Sequence, residues 1–234
     1  MPASASSGRT DGRAARWAGQ RERRRREFVE AALRAIREHG PDLSTERIAE
    51  EAGVARTRLY KHFTDATDIH RAIAARAVEL INTELAPLWD LHGSPAQMIS
   101  TAVDAHIRWL SENWHLYRYL SRLSLSGPDA VNDVKSTIGE HLTVLFEHYL
   151  AAFGLDTRVA APAAFSVVGL VDASTAQWLK DTRGLEHAEF AGLLARWVWR
   201  IVDDTLRAGG VELDPGAPLA MPDLAFPSAR PEPG

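Results

Sequence analysis

Cysteine is absent from the 234 residues, which removes disulfide frameworks, thiolate zinc sites and cysteine nucleophiles together. No uninterrupted apolar run approaches the ~18 residues of a membrane span, and Met1–Thr10 lacks the apolar core of a secretory signal. A cytoplasmic protein is expected. Runs of alternating β-branched residues are also missing, so no strand is predicted. The chain has no G-x-S-x-G elbow, no phosphate-binding glycine loop and no H-E-x-x-H helix. His141 and His148 lie two helical turns apart, and the neighbours Glu50-Glu51 and Asp203-Asp204 point to different helix sides. The sequence therefore assigns no catalytic residue, metal or cofactor, and reads as a non-enzyme.

What is present is core-forming: 45% of residues are apolar and 25% charged. The net charge of -4 divides unevenly, with residues 1–64 carrying +5 and the remainder -9. A basic first quarter on an acidic body points to an anionic partner at one end. Arginine supplies nearly all of that charge, lysine occurring only at Lys61, Lys135 and Lys180.

Residues 1–20, rich in Ala, Ser, Gly and Arg, read as a flexible basic arm, and 209–234 as a Pro/Gly-rich tail that is free or lies along the body. Between them the period is helical. Phe28, Ala31, Ala32, Ala35, Ile36 and His39 form one stripe, stopped by Gly40-Pro41. Ser44 is an N-cap for a short helix to about Ala52, and a second short helix is expected from Ala55 to Phe63. Asp65 and Asp68 resemble a capping box before the stripe Ile69, Ala72, Ile73, Ala77, Leu80, Ile81 and Leu85. Longer helices follow at about 96–112, 114–125, 128–153, 161–181 and 186–208, with Gly93, Gly127, Gly154 and Gly184 at their ends. The fold class is all-α: a three-helix helix-turn-helix domain over 21–66, then a larger helical domain over 67–208.

The stretch S-T-E-R-I-A-E-E-A-G-V-A-R-T-R-L-Y-K-H-F, Ser44 to Phe63, is two short helices around a glycine turn, which is a helix-turn-helix. Ala49 is small where the helix axes cross, Gly53 admits positive φ, and Val54 and Leu59 are apolar where they meet the preceding helix. Arg56, Thr57, Arg58, Tyr60, Lys61 and His62 remain exposed on the second helix and can donate to phosphates. The first three fall where such a helix enters the major groove, making them base-reading candidates; the last three suit the backbone. A structural αα-corner is the alternative reading of the same pattern. The cluster Arg21 and Arg23–Arg26 is either a phosphate or minor-groove grip or a solvated helix end.

Residues 22–80 resemble the N-terminal domain of TetR-family transcriptional regulators, most specifically in Ala52-Gly53-Val54 followed by L-Y-x-H-F at Leu59–Phe63. The resemblance implies a homodimeric DNA-binding regulator with an effector-binding helical bundle, commonly a repressor of a palindromic operator released by a small, mostly apolar ligand. By position it makes Thr45, Arg56, Thr57, Tyr60, Lys61 and His62 DNA contacts. Three residues depart from the family pattern: Ala55 for a capping serine, Arg58 for a small hydroxyl residue, and Ala66 for a lysine. The missing cap and lysine support a rival reading, a helical small-molecule-binding protein with a vestigial helix-turn-helix.

In the second domain, Ile99, Ala102, Val103, His106 and Leu110 form an inward stripe, continued by Trp114, Tyr117 and Leu120. Val131, Val134, Ile138, Leu142, Leu145, Tyr149 and Phe153 line the helix after Gly127. Pocket walls are expected among His106, Trp109, Trp114, Tyr117, Leu145, Phe146, Tyr149, Val168 and Asp172, although each aromatic also suits a plain core. The helices at 161–181 and 186–208 are apolar on more than one face, through Val167, Val168, Leu170 and Val171 and through Leu193, Leu194, Trp197, Val198, Ile201 and Val202. A second layer is required, and a dimer partner supplies it.

Overall fold

The computed structural model describes residues 8–87, 92–123 and 130–219. Among them every regular element is helical: α1 Gly8–His39, α2 Thr45–Glu51, α3 Arg56–Leu59, α4 Ala66–Leu85, α5 Pro95–Glu112, α6 Trp114–Leu123, α7 Ala130–Ala152, α8 Ala160–Lys180 and α9 His187–Ala208. The all-α class expected from the sequence is the class observed. Residues 1–7 of the arm, Gly127, and residues 220–234 of the tail fall outside the described residues, as does the side chain of Val131.

The chain divides into two compact units. The first comprises residues 1–83 and 113–133, the second 84–112 and 134–234. The first unit thus takes in most of α4 and all of α6, rather than ending at residue 66.

In the first unit Phe28, Ala31, Ala32, Ala35 and Ile36 of α1 are buried, as their spacing predicts; His39, at the end of the stripe, is exposed. Helix α1 itself begins at Gly8, so most of the expected arm is helical. Arg13, Ala14, Ala15 and Arg16 are strong helix formers, and extending a helix that already exists adds one hydrogen bond per residue fixed. Ile69, Ile73, Ala77, Ile81 and Leu85 of α4 are buried. Helix α6 packs with α1 and buries Leu116, Tyr119 and Leu120, and its Tyr119 also meets His70 of α4. His70 Nδ1 lies 2.5 Å from the Tyr119 hydroxyl, His115 Nδ1 lies 3.1 Å from the Arg37 carbonyl, and Arg122 pairs with Asp42. Trp114 and Tyr117, expected in the bundle, belong to this unit and stack on each other at 5.6 Å.

The second unit is built on α5, α7, α8 and α9. Val103, Ile107, Val167, Phe190, Leu194 and Val198 form one core cluster. Leu150, Ala160 and Leu206 form another, closed by Val211 and Leu213 of the tail. The described tail lies on this unit: the Ala96 amide donates to the Pro215 carbonyl at 2.9 Å, and the Leu219 amide to the Gly93 carbonyl at 3.2 Å. By length and composition α8 is apolar enough to cross a bilayer. Its buried Asp172, ion-paired with Lys135, and its packing against α5 and α9 mark it as the core helix of a bundle.

Candidate nucleic-acid interface

Helix α2 starts where Ser44 caps it, the hydroxyl accepting from the Arg47 amide at 3.2 Å. It stops in a Schellman arrangement: Gly53 has φ +64°, its amide donates to the Glu50 carbonyl, and the Val54 amide donates to the Ala49 carbonyl, both at 2.9 Å. Only glycine takes this backbone without a Cβ penalty, so residue 53 sets the angle at which the chain leaves α2. Ala49 and Leu59 are buried, as the helix crossing requires.

Helix α3 is shorter than predicted. It is a single turn, Arg56–Leu59, continued by hydrogen-bonded turns in which the His62 and Phe63 amides both donate to the Leu59 carbonyl. Ala55 offers no side-chain acceptor at its N-terminus, which fits so brief a helix. Two anchors hold the turn in place, Leu59 and Phe63, both almost fully buried.

A charge network fixes the far end. Arg25 of α1 forms a bidentate pair with Asp68 of α4 at 2.9 and 3.0 Å, and donates to the His62 carbonyl at 2.7 Å. Its guanidinium also lies 4.3 Å above the Phe63 ring. Asp68 further accepts from the Thr64 amide at 3.0 Å, while Asp65 accepts from the Asp68 amide at 2.8 Å, the capping pair expected from the sequence. Arg25, with help from Thr64, holds the Asp68 carboxyl well below the usual carboxylate range. Among the basic cluster, then, Arg25 is a structural residue, whereas Arg21, Arg23, Arg24 and Arg26 are exposed.

The outward side of the motif is polar and mostly uncompensated. Thr57, Arg58, Tyr60 and Lys61 are exposed, and among the described residues no carboxylate pairs with Arg58 or Lys61. Arg56 differs. It pairs with Glu46 of α2 at 2.6 Å and donates to the Tyr60 hydroxyl at 3.5 Å, its guanidinium 5.6 Å from that ring. Bonds from Arg56 and from Thr45 hold the Tyr60 phenol below its ordinary value. His62 is partly buried, its ring 5.5 Å from Phe28. Burial first, then the positive field of Arg21, Arg24, Arg58 and Arg25, pushes it down and keeps it neutral. The turn therefore presents two unpaired cations, a restrained arginine, a phenol and hydroxyls on one exposed face, a donor array suited to phosphates and base edges. Glu46, which sequence reasoning passed over, is an acid on that face that engages a candidate DNA contact, Arg56.

Residues 28–73 match the description "Bacterial regulatory proteins, tetR family". An uncharacterized HTH-type transcriptional regulator of Mycobacterium tuberculosis is 30% identical over 206 residues, spanning 86% of this chain and 87% of that protein. The chain belongs to the TetR family. Over a shorter stretch of 95 residues, 41% of this chain and 46% of its relative, it is 32% identical to the HTH-type transcriptional repressor LfrR of Mycolicibacterium smegmatis. The TetR fold extends past the DNA-binding unit. A TetR-family regulator from Streptomyces coelicolor superposes with TM-score 0.62 at 18% identity, covering 80% of this chain and 83% of that one. FadR from Bacillus subtilis, solved with stearoyl-CoA, does so with TM-score 0.55 at 17% identity, covering 74% and 96%. DNA binding and transcriptional regulation are thus the activities of this TetR-family chain.

The remaining residues expected at an effector site divide between the units. His106 and Trp109 on α5, Leu145, Phe146 and Tyr149 on α7, and Val168 and Asp172 on α8 share the second; Trp114 and Tyr117 lie in the first. Ligand atoms of Glu38, His39 and Glu51 come within 4.8 Å of one another and could hold a metal. Glu51, however, is already paired with Arg34 at 3.2 Å, and Glu38 and His39 are exposed, so this is a solvated ionic cluster.

Three histidines give the TetR-family chain a pH-dependent stability. His62, His70 and His106 are each pushed below their ordinary value, chiefly by burial. A histidine depressed in the folded state binds more protons when unfolded, so stability is complete above about pH 6.5 and falls as the solution is acidified. The expected slope is at most about 1.4 kcal/mol per pH unit for each histidine, less for His62 because part of it is exposed. Chemical denaturation between pH 7.5 and 5 checks this; a flat midpoint would refute it.

Proposed function

We propose that this TetR-family protein is a one-component repressor that binds a palindromic operator as a homodimer and is released by a small, mostly apolar effector. The observation that carries the reading is the exposed α3 turn, with Arg58 and Lys61 unpaired beside α2. Arg56, Thr57 and Arg58 read bases, while Thr45, Tyr60, Lys61 and His62 meet the backbone. LfrR, described as a repressor, and FadR, solved with stearoyl-CoA, support the sign of regulation and an apolar effector. Phe165 on α8 and Trp197 on α9 are more than 40% exposed, which supports a dimer through those helices. Effector and operator are coupled through α4, whose N-terminus receives the Arg25–Asp68 pair. Couplings of this kind are typically about 1–3 kcal/mol, or roughly five- to 150-fold in affinity. Operator binding places the protein in the cytoplasm.

Fluorescence anisotropy with DNA from the intergenic regions beside its gene, over several salt concentrations, tests the reading. Specific binding with a log–log salt slope of several units is expected. Arg58→Ala should cost roughly 1–3 kcal/mol and relax sequence preference at one position of each half-site, whereas Lys61→Ala should weaken all sequences alike and lower the slope by about one. Selection from a random duplex library that enriches no palindrome would instead favour the small-molecule-binding protein with a vestigial motif.

A further inference from the structure

Among the described residues of the second unit, α8 and α5, which pack together, each carry a buried polar atom without a hydrogen-bond partner. Thr175 of α8 is fully buried and its hydroxyl has no hydrogen-bond partner. This is unusual within the chain, because Ser111, Thr143, Ser166 and Thr205 each close back onto the carbonyl four residues earlier at 2.7–2.8 Å. On α5, the Nε2 of His106 is likewise sealed from solvent and without a partner. A core that needed only packing would place Val and Leu at these two positions, since a buried polar group with no bond bears its full desolvation cost.

The charges nearby cancel. One turn before Thr175, the buried Asp172 carboxylate meets the Lys135 ammonium of α7 at 2.6 Å, and both act electrostatically on His106. Burial is the strongest influence on that imidazole and holds it neutral, aided by Lys135 and opposed by Asp172. An anionic guest would find the Lys135 ammonium already matched, and a cationic guest would find the Asp172 carboxylate matched. Either would arrive as an unpaired buried ion, the costliest arrangement available in such an interior. An uncharged group that donates or accepts hydrogen bonds suits it, because it joins the two orphaned atoms without disturbing the ion pair.

We propose that the effector is an uncharged amphipathic molecule, an apolar chain or ring bearing a single carbonyl or hydroxyl that bonds to His106 Nε2 and Thr175 Oγ1. The inference rests on the effector-controlled reading above and specifies the chemistry of its ligand. The Lys135–Asp172 pair acts as an electrostatic filter beside the site, excluding fatty acids and amines of the same length. On the same two helices, Val103 and Ile107 of α5 and Val167 of α8 belong to one apolar core cluster.

The test uses the full-length protein and four unbranched probe series of six to twelve carbons: methyl ketones, primary alcohols, alkanoates and alkylamines. Binding is measured by calorimetry and operator release by anisotropy. The best ketone or alcohol should bind at least about tenfold tighter than the alkanoate and the alkylammonium of equal length. Thr175→Val should weaken that probe about tenfold while raising the Tm of the free protein, a combination that a purely structural threonine would not produce. His106→Leu should do the same. Alkanoates that bind as tightly as ketones overturn the inference, as does binding by no uncharged probe, or undiminished affinity in both variants. The regulator reading is tested separately in the same titration: operator binding without probe supports it whatever the ligand chemistry, and ketone binding without release removes effector control while keeping the ligand assignment.

Discussion

Replacing Phe165 and Trp197 together by glutamate is expected to yield a monomer and to lower operator affinity by roughly 10²- to 10⁴-fold. Both rings are large, apolar and exposed, one on α8 and the other on α9. In a two-fold dimer each residue would meet the same surface of its partner, so each substitution acts twice. The loss is large because a dimer turns the second half-site contact into an intramolecular event, and that advantage disappears with the partner. Sedimentation equilibrium gives the mass and anisotropy the affinity. Phe165 also rests on Gly139, where even a Cβ would approach its ring to 2.7 Å, so circular dichroism must confirm that the bundle stays folded. Trp197→Glu alone avoids that contact and should produce a weaker form of the same result. A folded variant that remained dimeric would assign the dimer to another face.

The second large effect belongs to Asp68. Asp68→Ala removes the acceptor of two arginine bonds and of the Thr64 amide, and leaves Arg25 partly buried without a counter-charge. About 2–3 kcal/mol of stability should be lost, within the range for uncoupling partly desolvated pairs. Because Arg25 also holds the His62 carbonyl, the end of the recognition turn is released, and operator affinity should drop about tenfold even where the protein remains folded. Arg25→Ala should give nearly the same values, and the double variant little more than either, the sign of one coupled unit. The carboxyl is depressed in the folded state, so its contribution is present above the unfolded carboxylate value of about 3.9 and is lost as pH falls below it. Additive single effects in a double-mutant cycle would refute this account.

Much of the first unit was legible in the sequence because its signals are local. Ser44 caps, Gly53 takes positive φ, and the Phe28–Ile36 and Ile69–Leu85 stripes have a clean helical period; each can be read within a few residues. Contacts across long separations were not. Helix α6 packs on α1 and buries Leu116, Tyr119 and Leu120, but the neighbouring Trp114 and Tyr117 have equally good spacing, and periodicity alone does not say which face finds a partner. Arg25 was read only as one of a basic cluster, since nothing in sequence marks the arginine that will meet a carboxylate 43 residues away. The brevity of α3 follows from Ala55, a departure that was visible, although its consequence for helix length depends on Leu59 and Phe63 pinning the chain. In the second unit, His106 and Asp172 stood out as polar residues among apolar ones. Thr175 did not, because a helical threonine ordinarily satisfies itself.

Two hydrogen bonds tie Pro215 and Leu219 of the tail to Ala96 and Gly93, so the beginning of α5 and the last described stretch of the tail meet side by side. Between them the chain leaves the second unit and returns to it, because α6 belongs to the first. A chimaera that kept the DNA-reading half and took its second unit from another protein would therefore need three junctions, near residues 84, 113 and 134, rather than one cut after α4.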